Sequence, residues 1–146
     1  MNEWDAILNE LVVANRILSN ENIVDAYGHV SIRHPGNSER FLISRSLAPE
    51  FVERTDIMEL DLTGQPIEDK RAPYHERFIH AAIYEARPDV QAVVHAHAED
   101  VLPFSITEAS LRPVIHSGSF IGAHVPVWDI AEKFGALLVP QVTKGI

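Results

Sequence analysis

Two histidines one residue apart, His95 and His97, end the mostly apolar run of residues 90–94 in "VQAVVHAHAED". In a strand, residues i and i+2 share a face, so the two imidazoles project side by side from the strand's exit. Two neutral imidazoles placed together suit a divalent ion. Taken alone, H-x-H fits equally well two ordinary histidines hydrogen-bonded at a strand end. Glu76 stands at the start of the helical stretch that leads into this strand. The helix dipole by itself favours a carboxylate there, but a helix followed by a strand can fold back and bring Glu76 to the strand's exit. One carboxylate and two imidazoles form most of a nitrogen–oxygen metal site with positions left for substrate.

Three further pieces carry polar chemistry. In "AYGHVSIR", Gly28 precedes His29 at a strand entry, where glycine permits positive φ or a close backbone approach to a ligand, or simply makes a turn. In "FLISRS", Ser44, Arg45 and Ser46 follow an apolar strand, and their hydroxyls and guanidinium could hold an anion or form a solvated loop. His116 in "RPVIHSGSF" reads as buried by its context. His34, His80 and His124 have no constellation around them and are assigned no role.

The elements that must position these residues follow from periodicity. Residues 3–19 carry Trp4, Ile7, Leu8, Leu11, Val12, Ala14, Ile17 and Leu18 at largely helical spacing. The turn cluster "HPGNSER" lies between the Val30/Ile32 alternation and the run Phe41, Leu42, Ile43, which predicts a β-hairpin over 28–44. "MELDLTGQPIE" predicts a second strand pair closed at Thr63-Gly64. "YHERFIHAAIYEARPD" predicts a helix with Phe78, Ile79, Ala82 and Ile83 as its apolar stripe, stopped at Arg87-Pro88-Asp89. Strand 90–95 follows, then a short helix interrupted near Pro103, extended pieces in "RPVIHSGSFIG" and "HVPVW", and a helix in "DIAEKFGALLV". Mixed helices and hairpins predict an α/β fold with a mainly antiparallel sheet flanked by helices, in a single domain over 1–146.

Composition bounds the function. A chain of 146 residues with 46% hydrophobic residues can bury a real core, and no apolar run approaches a membrane-spanning length. The formal net charge of -9 argues against a nucleic-acid or anionic-membrane partner. With no cysteine, a metal must use histidine and carboxylate ligands. The acidic N-terminus is expected to be neither a secretory signal nor a transit peptide, and a cytoplasmic location fits.

Taken together, these residues resemble the class II aldolase/adducin family. "GHVSIR", "FLISRS", "DIMELDLTG" and "ERFIHAAIYEARPDVQAVVHAHA" occur in family order and cover nearly the whole chain. The resemblance implies a three-layer fold, a cytoplasmic homotetramer with sites near subunit interfaces, and one divalent ion, zinc or manganese. His95 and His97 match two metal ligands, and Glu76 matches an acid that serves as ligand and as acid/base. His116 is the expected proton donor, and Gly28, His29, Ser44, Arg45 and Tyr74 are expected to line the substrate pocket.

The departures from the family pattern narrow the substrate. Gly28-His29, Ser44-Arg45 and Tyr74-His75 stand where sugar-phosphate aldolases carry a phosphate cradle, and Ser117 stands where they carry a catalytic tyrosine. "YGHVSIR", "ISRSLAPE" and "LRPVIHSGSF" resemble the decarboxylase-type branch, which acts on hydroxylated pyridine dicarboxylates and related aromatic acids. The expected activity is decarboxylation of a non-phosphorylated hydroxy (aromatic or keto) carboxylate. An aldolase acting on a small sugar or sugar phosphate is the alternative, and an adducin-like interaction module without catalysis is the rival of another class. Family members continue into another helix, a strand and a third metal-binding histidine. The domain is therefore expected to be incomplete at its C-terminus, with a weak metal shell and low turnover.

Overall fold

Strand β1 (His29–Arg33) sends alternate side chains to opposite faces of a sheet, and both faces are covered. Val30 and Ile32, with Leu42 of the adjacent strand, meet Leu11 and its neighbours on helix α1 (Glu3–Asn20). His29, Ser31 and Arg33 face the other way and are also buried, beneath helix α2 (Arg77–Ala86). The polar half of β1 is thus an interior surface and not a solvated one.

The computed structural model describes residues 3–127. Contacts divide the chain into two compact units, Met1–Ala98 and Glu99–Ile146. In the first unit, β1 lies between β2 (Arg40–Ser44) and β4 (Ala92–His95), and β3 (Ile57–Asp61) flanks β2, giving the order β3-β2-β1-β4. All neighbours are antiparallel, and the register sets His29 opposite His95 and Ser31 opposite Val93. The α1 face is packed by Leu11, Val30 and Leu42, and the α2 face by Phe41, Ile43, Met58, Leu60, Tyr74, Ala81, Tyr84 and Val93. Helix, antiparallel sheet and helix make the three layers that the sequence implies.

Several local expectations change. The 28–44 hairpin forms, but the second strand pair does not. Gly64 (φ 78°) turns the chain at the predicted place, with Asp61 accepting the Thr63 and Gln65 N–H groups, yet the return arm makes only an isolated bridge, Leu60 to Pro66. The Asp61 N–H donates to Gln65 O and the Ile67 N–H to Glu59 O around that bridge, and Glu68, at φ 54°, then leaves the extended region, so no further pair follows. The stripe predicted for α2 is also rotated. His80, Ala81 and Tyr84 are its buried residues, whereas Phe78 and Ile79 are 49% and 43% exposed. The helix turns toward the polar residues of β1, which need hydrogen-bond partners once buried.

Arg33 explains how α2 is held. Its guanidinium donates to Tyr84 O (2.8 Å) and Arg87 O (2.9 Å) at the helix C-terminus, and to Val90 O (3.0 Å) and Ser38 O (2.7 Å). A cation there satisfies carbonyls that the helix leaves open and complements its dipole. At the other end, Arg77 donates to Gly64 O and Tyr74 O. Both ends of the helix are therefore tied to the sheet and its loops.

In the second unit, no described side chain is buried. Helix α3 (Leu102–Ser105) is the short helix expected, but Pro103 stands in its first turn and does not interrupt it, and His116–Ile121 forms a 3-10 helix instead of an extended piece. "DIAEKFGALLV" lies outside the described residues.

Replacing Arg33 with Met should remove four carbonyl contacts while keeping much of the side-chain volume. Urea denaturation is expected to show a loss of about 3 kcal/mol, given the cost of leaving such groups unpaired.

Candidate metal centre

Glu76 is the N-cap residue of α2, but its side chain makes no capping hydrogen bond. Its Oε1 lies 3.3 Å from His95 Nε2 and its Oε2 3.7 Å from His29 Nε2. The helix dipole therefore does not account for where this carboxylate points. The helix-then-strand unit folds back as the sequence suggests, and Glu76 meets the end of β4.

His95 closes β4, and His97 lies two residues beyond it. Their rings stand edge to face at 4.8 Å, with Nε2 to Nε2 at 3.1 Å. His97 Nδ1 faces Asp25 Oδ2 at 3.2 Å. Asp25 also accepts the backbone N–H groups of Tyr27 and Gly28. Partial burial works against its ionisation, but those N–H groups and His97 outweigh it and hold the carboxyl below its ordinary value. An ionised Asp25 keeps a hydrogen on His97 Nδ1, which leaves the Nε2 lone pair turned toward His95.

Zinc bonds of 2.0–2.1 Å in a tetrahedron place ligand atoms roughly 3.3 Å apart, and the His97–His95 and His95–Glu76 pairs measure 3.1 and 3.3 Å. Among the described residues, the group of three whose donor atoms all lie within 4.8 Å of one another is His29, Glu76 and His95, so His29 stands where the sequence leads one to expect His97.

Behind His29 runs a buried hydrogen-bonded chain that sequence reasoning missed. His29 Nδ1 meets His80 Nε2 at 2.8 Å, His80 Nδ1 meets Ser31 Oγ at 2.6 Å, and Ser31 Oγ meets the Tyr84 hydroxyl at 2.8 Å. Both rings are wholly buried. Burial, then the neighbouring imidazoles, pushes His29 down to about 3, and burial with His95 pushes His80 down to about 4. The available signal was spacing: Glu76, His80 and Tyr84 recur every four residues on α2, and His29, Ser31 and Arg33 every two on β1.

The remaining expected residues fall into place differently. A Cβ on Gly28 would sit 2.6 Å from Val24 Cβ and 3.0 Å from His95 O, so the close approach there is to the chain itself. The Ser44 hydroxyl is buried against the Tyr74 hydroxyl at 3.2 Å. Tyr74 also donates to Leu47 O, and its ring lies 4.3 Å from that of His29. Arg45 commits its Nε to Asp56 at 2.7 Å, which orients a partly exposed guanidinium. His116 lies in the second unit and is exposed, against the burial its context suggests.

A family model for the class II aldolase and adducin N-terminal domain matches residues 9–143. The chain belongs to that family. It is 44% identical over 121 residues to the decarboxylase tropJ of Talaromyces stipitatus, covering 81% of this chain and 46% of that protein. It is 31% identical over 116 residues to the 3,4-dihydroxyphthalate decarboxylase of Arthrobacter keyseri, covering 72% and 46%. Among solved structures, an aldolase II superfamily protein from Pseudomonas syringae superposes with a TM-score of 0.70 at 30% identity, covering 89% of this chain and 56% of that one. The chain thus spans about half the length of these relatives. No helix among the described residues is long and apolar enough to cross a membrane.

Two outcomes are expected. Asp25→Ala should weaken zinc affinity about 10–100-fold, measured by competition with a chelator, since Asp25 orients His97 without itself binding the ion. The second concerns acid. The pKa of His80 falls on folding from 6.5 to about 4, so the unfolded chain takes up the proton first as pH drops below 6.5. This contribution to stability is complete above pH 6.5 and is lost on descent toward pH 4, a change of about 3 kcal/mol. Urea denaturation of the metal-free chain across that range measures it together with the like contribution of His29, pushed down to about 3, and His80→Gln should reduce the slope by the His80 share.

Proposed function

We propose that the chain belongs to a divalent-metal-dependent carbon–carbon lyase that decarboxylates a non-phosphorylated hydroxy-substituted carboxylate, aromatic or keto. The observation that carries this reading is the orientation of Glu76, turned away from its helix terminus and toward His95, with His97 alongside. The names of the two decarboxylase relatives support the reaction class, and His29 in place of a small phosphate-binding residue supports a carboxylate over a sugar phosphate.

His95 and His97 would hold the ion, with Glu76 beside them as ligand or as acid/base. When bound, a divalent ion supplies electrostatic stabilisation to an oxygen next to the carbon on which charge develops. The other work falls to protein groups. Glu76 is placed to move a proton at the substrate's hydroxyl. The Tyr74 ring and the buried face of β1 exclude water behind His29. His116, in the other unit, is kept in this reading as a proton donor. The working form is taken to be a cytoplasmic homotetramer, the assembly implied by the family resemblance.

The test loads the purified chain with zinc or manganese and follows carbon dioxide release from 3,4-dihydroxyphthalate beside cleavage of a ketose phosphate. One ion per chain and turnover of the dicarboxylate alone are expected, with Glu76→Gln lowering the rate about 10²–10⁴-fold. Cleavage of the ketose phosphate in preference to the dicarboxylate would favour an aldolase instead.

A further inference from the structure

The hydrogens along the buried chain behind His29 can be placed in two ways, and they differ in what His29 shows to the site. The Tyr84 hydroxyl, on a residue 1% exposed, meets the Val93 backbone N–H, which can only donate to it, and Ser31 Oγ, the one acceptor for its own hydrogen among the described residues. Ser31 Oγ has two partners, Tyr84 and His80 Nδ1. His80 Nε2 faces His29 Nδ1, and facing ring nitrogens share one hydrogen. No ion pair reaches His80 among the described residues, so this wholly buried ring is neutral, with a single N–H.

Suppose His29 donates from Nδ1. His80 must then donate from Nδ1 to Ser31. Ser31 and Tyr84 are left with two hydroxyl hydrogens and one acceptor between them, so one O–H is buried without a partner. Now let Tyr84 donate to Ser31, Ser31 to His80 Nδ1, and His80 Nε2–H to His29 Nδ1. The hydrogens between the four residues are then all paired, and the one left over stands on His29 Nε2. That atom is buried, has no hydrogen-bond partner, and stands 3.7 Å from Glu76 Oε2. Either arrangement leaves one hydrogen over: the first strands it on a hydroxyl in the interior, whereas the second turns it toward a carboxylate and the site, where a ligand oxygen can pair it.

We propose that Ser31 and His80, backed by Tyr84, fix His29 with its hydrogen on Nε2, so that His29 faces the site as a hydrogen-bond donor to a ligand oxygen and not as a metal ligand. A nitrogen that carries hydrogen has no lone pair to give a metal. The three-imidazole cluster then divides: His95 and His97 serve the ion, and His29 serves a carboxylate or phenolate oxygen bound beside it. Ser31, His80 and Tyr84 are positioning residues that touch neither. The identity of that oxygen rests on the lyase reading above, but the tautomer does not.

Long-range proton–nitrogen correlation spectra of the histidine rings report each tautomer directly. In the metal-free chain His29 is expected as the Nε2–H form. On zinc addition His95 and His97 should become metal-bound while His29 keeps its Nε2 hydrogen. An Nδ1–H form of His29, or loss of its Nε2 hydrogen on zinc binding, overturns the proposal. Two variants probe the cause. Tyr84→Phe leaves the Ser31 hydroxyl free to donate to His80 and should keep the tautomer. Ser31→Ala removes that donor and should release it into a mixture; an unchanged Nε2–H form in Ser31→Ala overturns the role given to Ser31. None of these readouts uses a substrate, so failure here is distinct from failure of the lyase reading. For the donor role, 3,4-dihydroxyphthalate should bind zinc-loaded wild type at least about tenfold more tightly than His29→Phe, with equal affinity counting against it.

Discussion

A seam of matched polar residues between β1 and α2 sets the terms for everything near the site. Four residues along a helix advance ~6.0 Å and two along a strand ~6.6 Å. Glu76, His80 and Tyr84 can therefore lie alongside His29, Ser31 and Arg33 in step, and the contacts run in that order: Glu76 to His29, His80 to His29 and Ser31, Tyr84 to Ser31 and Arg33. A polar group buried without a partner is costly. The seam can only be closed with α2 at one rotation and one height, and that choice overrides the helix's apolar stripe.

The site inherits its geometry from this constraint. Glu76 is where it is because His80 and Tyr84, one and two steps along the same face, are fixed. His95 is where it is because β4 pairs with β1 in a register that puts it opposite His29. Gly28 lets the chain before β1 pass close to the carbonyl of His95, and Asp25, just upstream, turns His97 inward. Each polar group at the centre is thus oriented by a group that lies outside it. That arrangement pre-orders the ligand atoms before any ion or substrate arrives.

Much of this could be read from the sequence, and the omissions have physical causes. The hairpin of β1 and β2, the strand ending at His95 and the approach of Glu76 to His95 follow from period-two alternation and local spacing. The family could be read from the order of the motifs. His80 could not be found by searching for constellations in the linear chain, because its partners are 49 and 51 residues away. The facing of α2 was misread because Phe78, Ile79, Ala82 and Ile83 weigh more in a hydrophobic pattern than a histidine and a tyrosine four residues apart. Asp25 looks like an ordinary loop carboxylate until folding brings His97 to it from 72 residues away.

The two steps that make the seam differ by about 0.6 Å per pair, so helix and strand behave as the two scales of a vernier. They coincide over a short length and drift apart on either side. The shortest hydrogen bond of the seam, 2.6 Å between Ser31 and His80, lies in the middle. Toward one end Arg33 reaches past the side chains to main-chain carbonyls, and toward the other Glu76 stands off from His29 at 3.7 Å. The slack that arithmetic forces on the ends leaves, on the Glu76 side, His29 Nε2 and the carboxylate just out of hydrogen-bond reach of each other. Both can turn to a third group without loosening the coincidence at the centre.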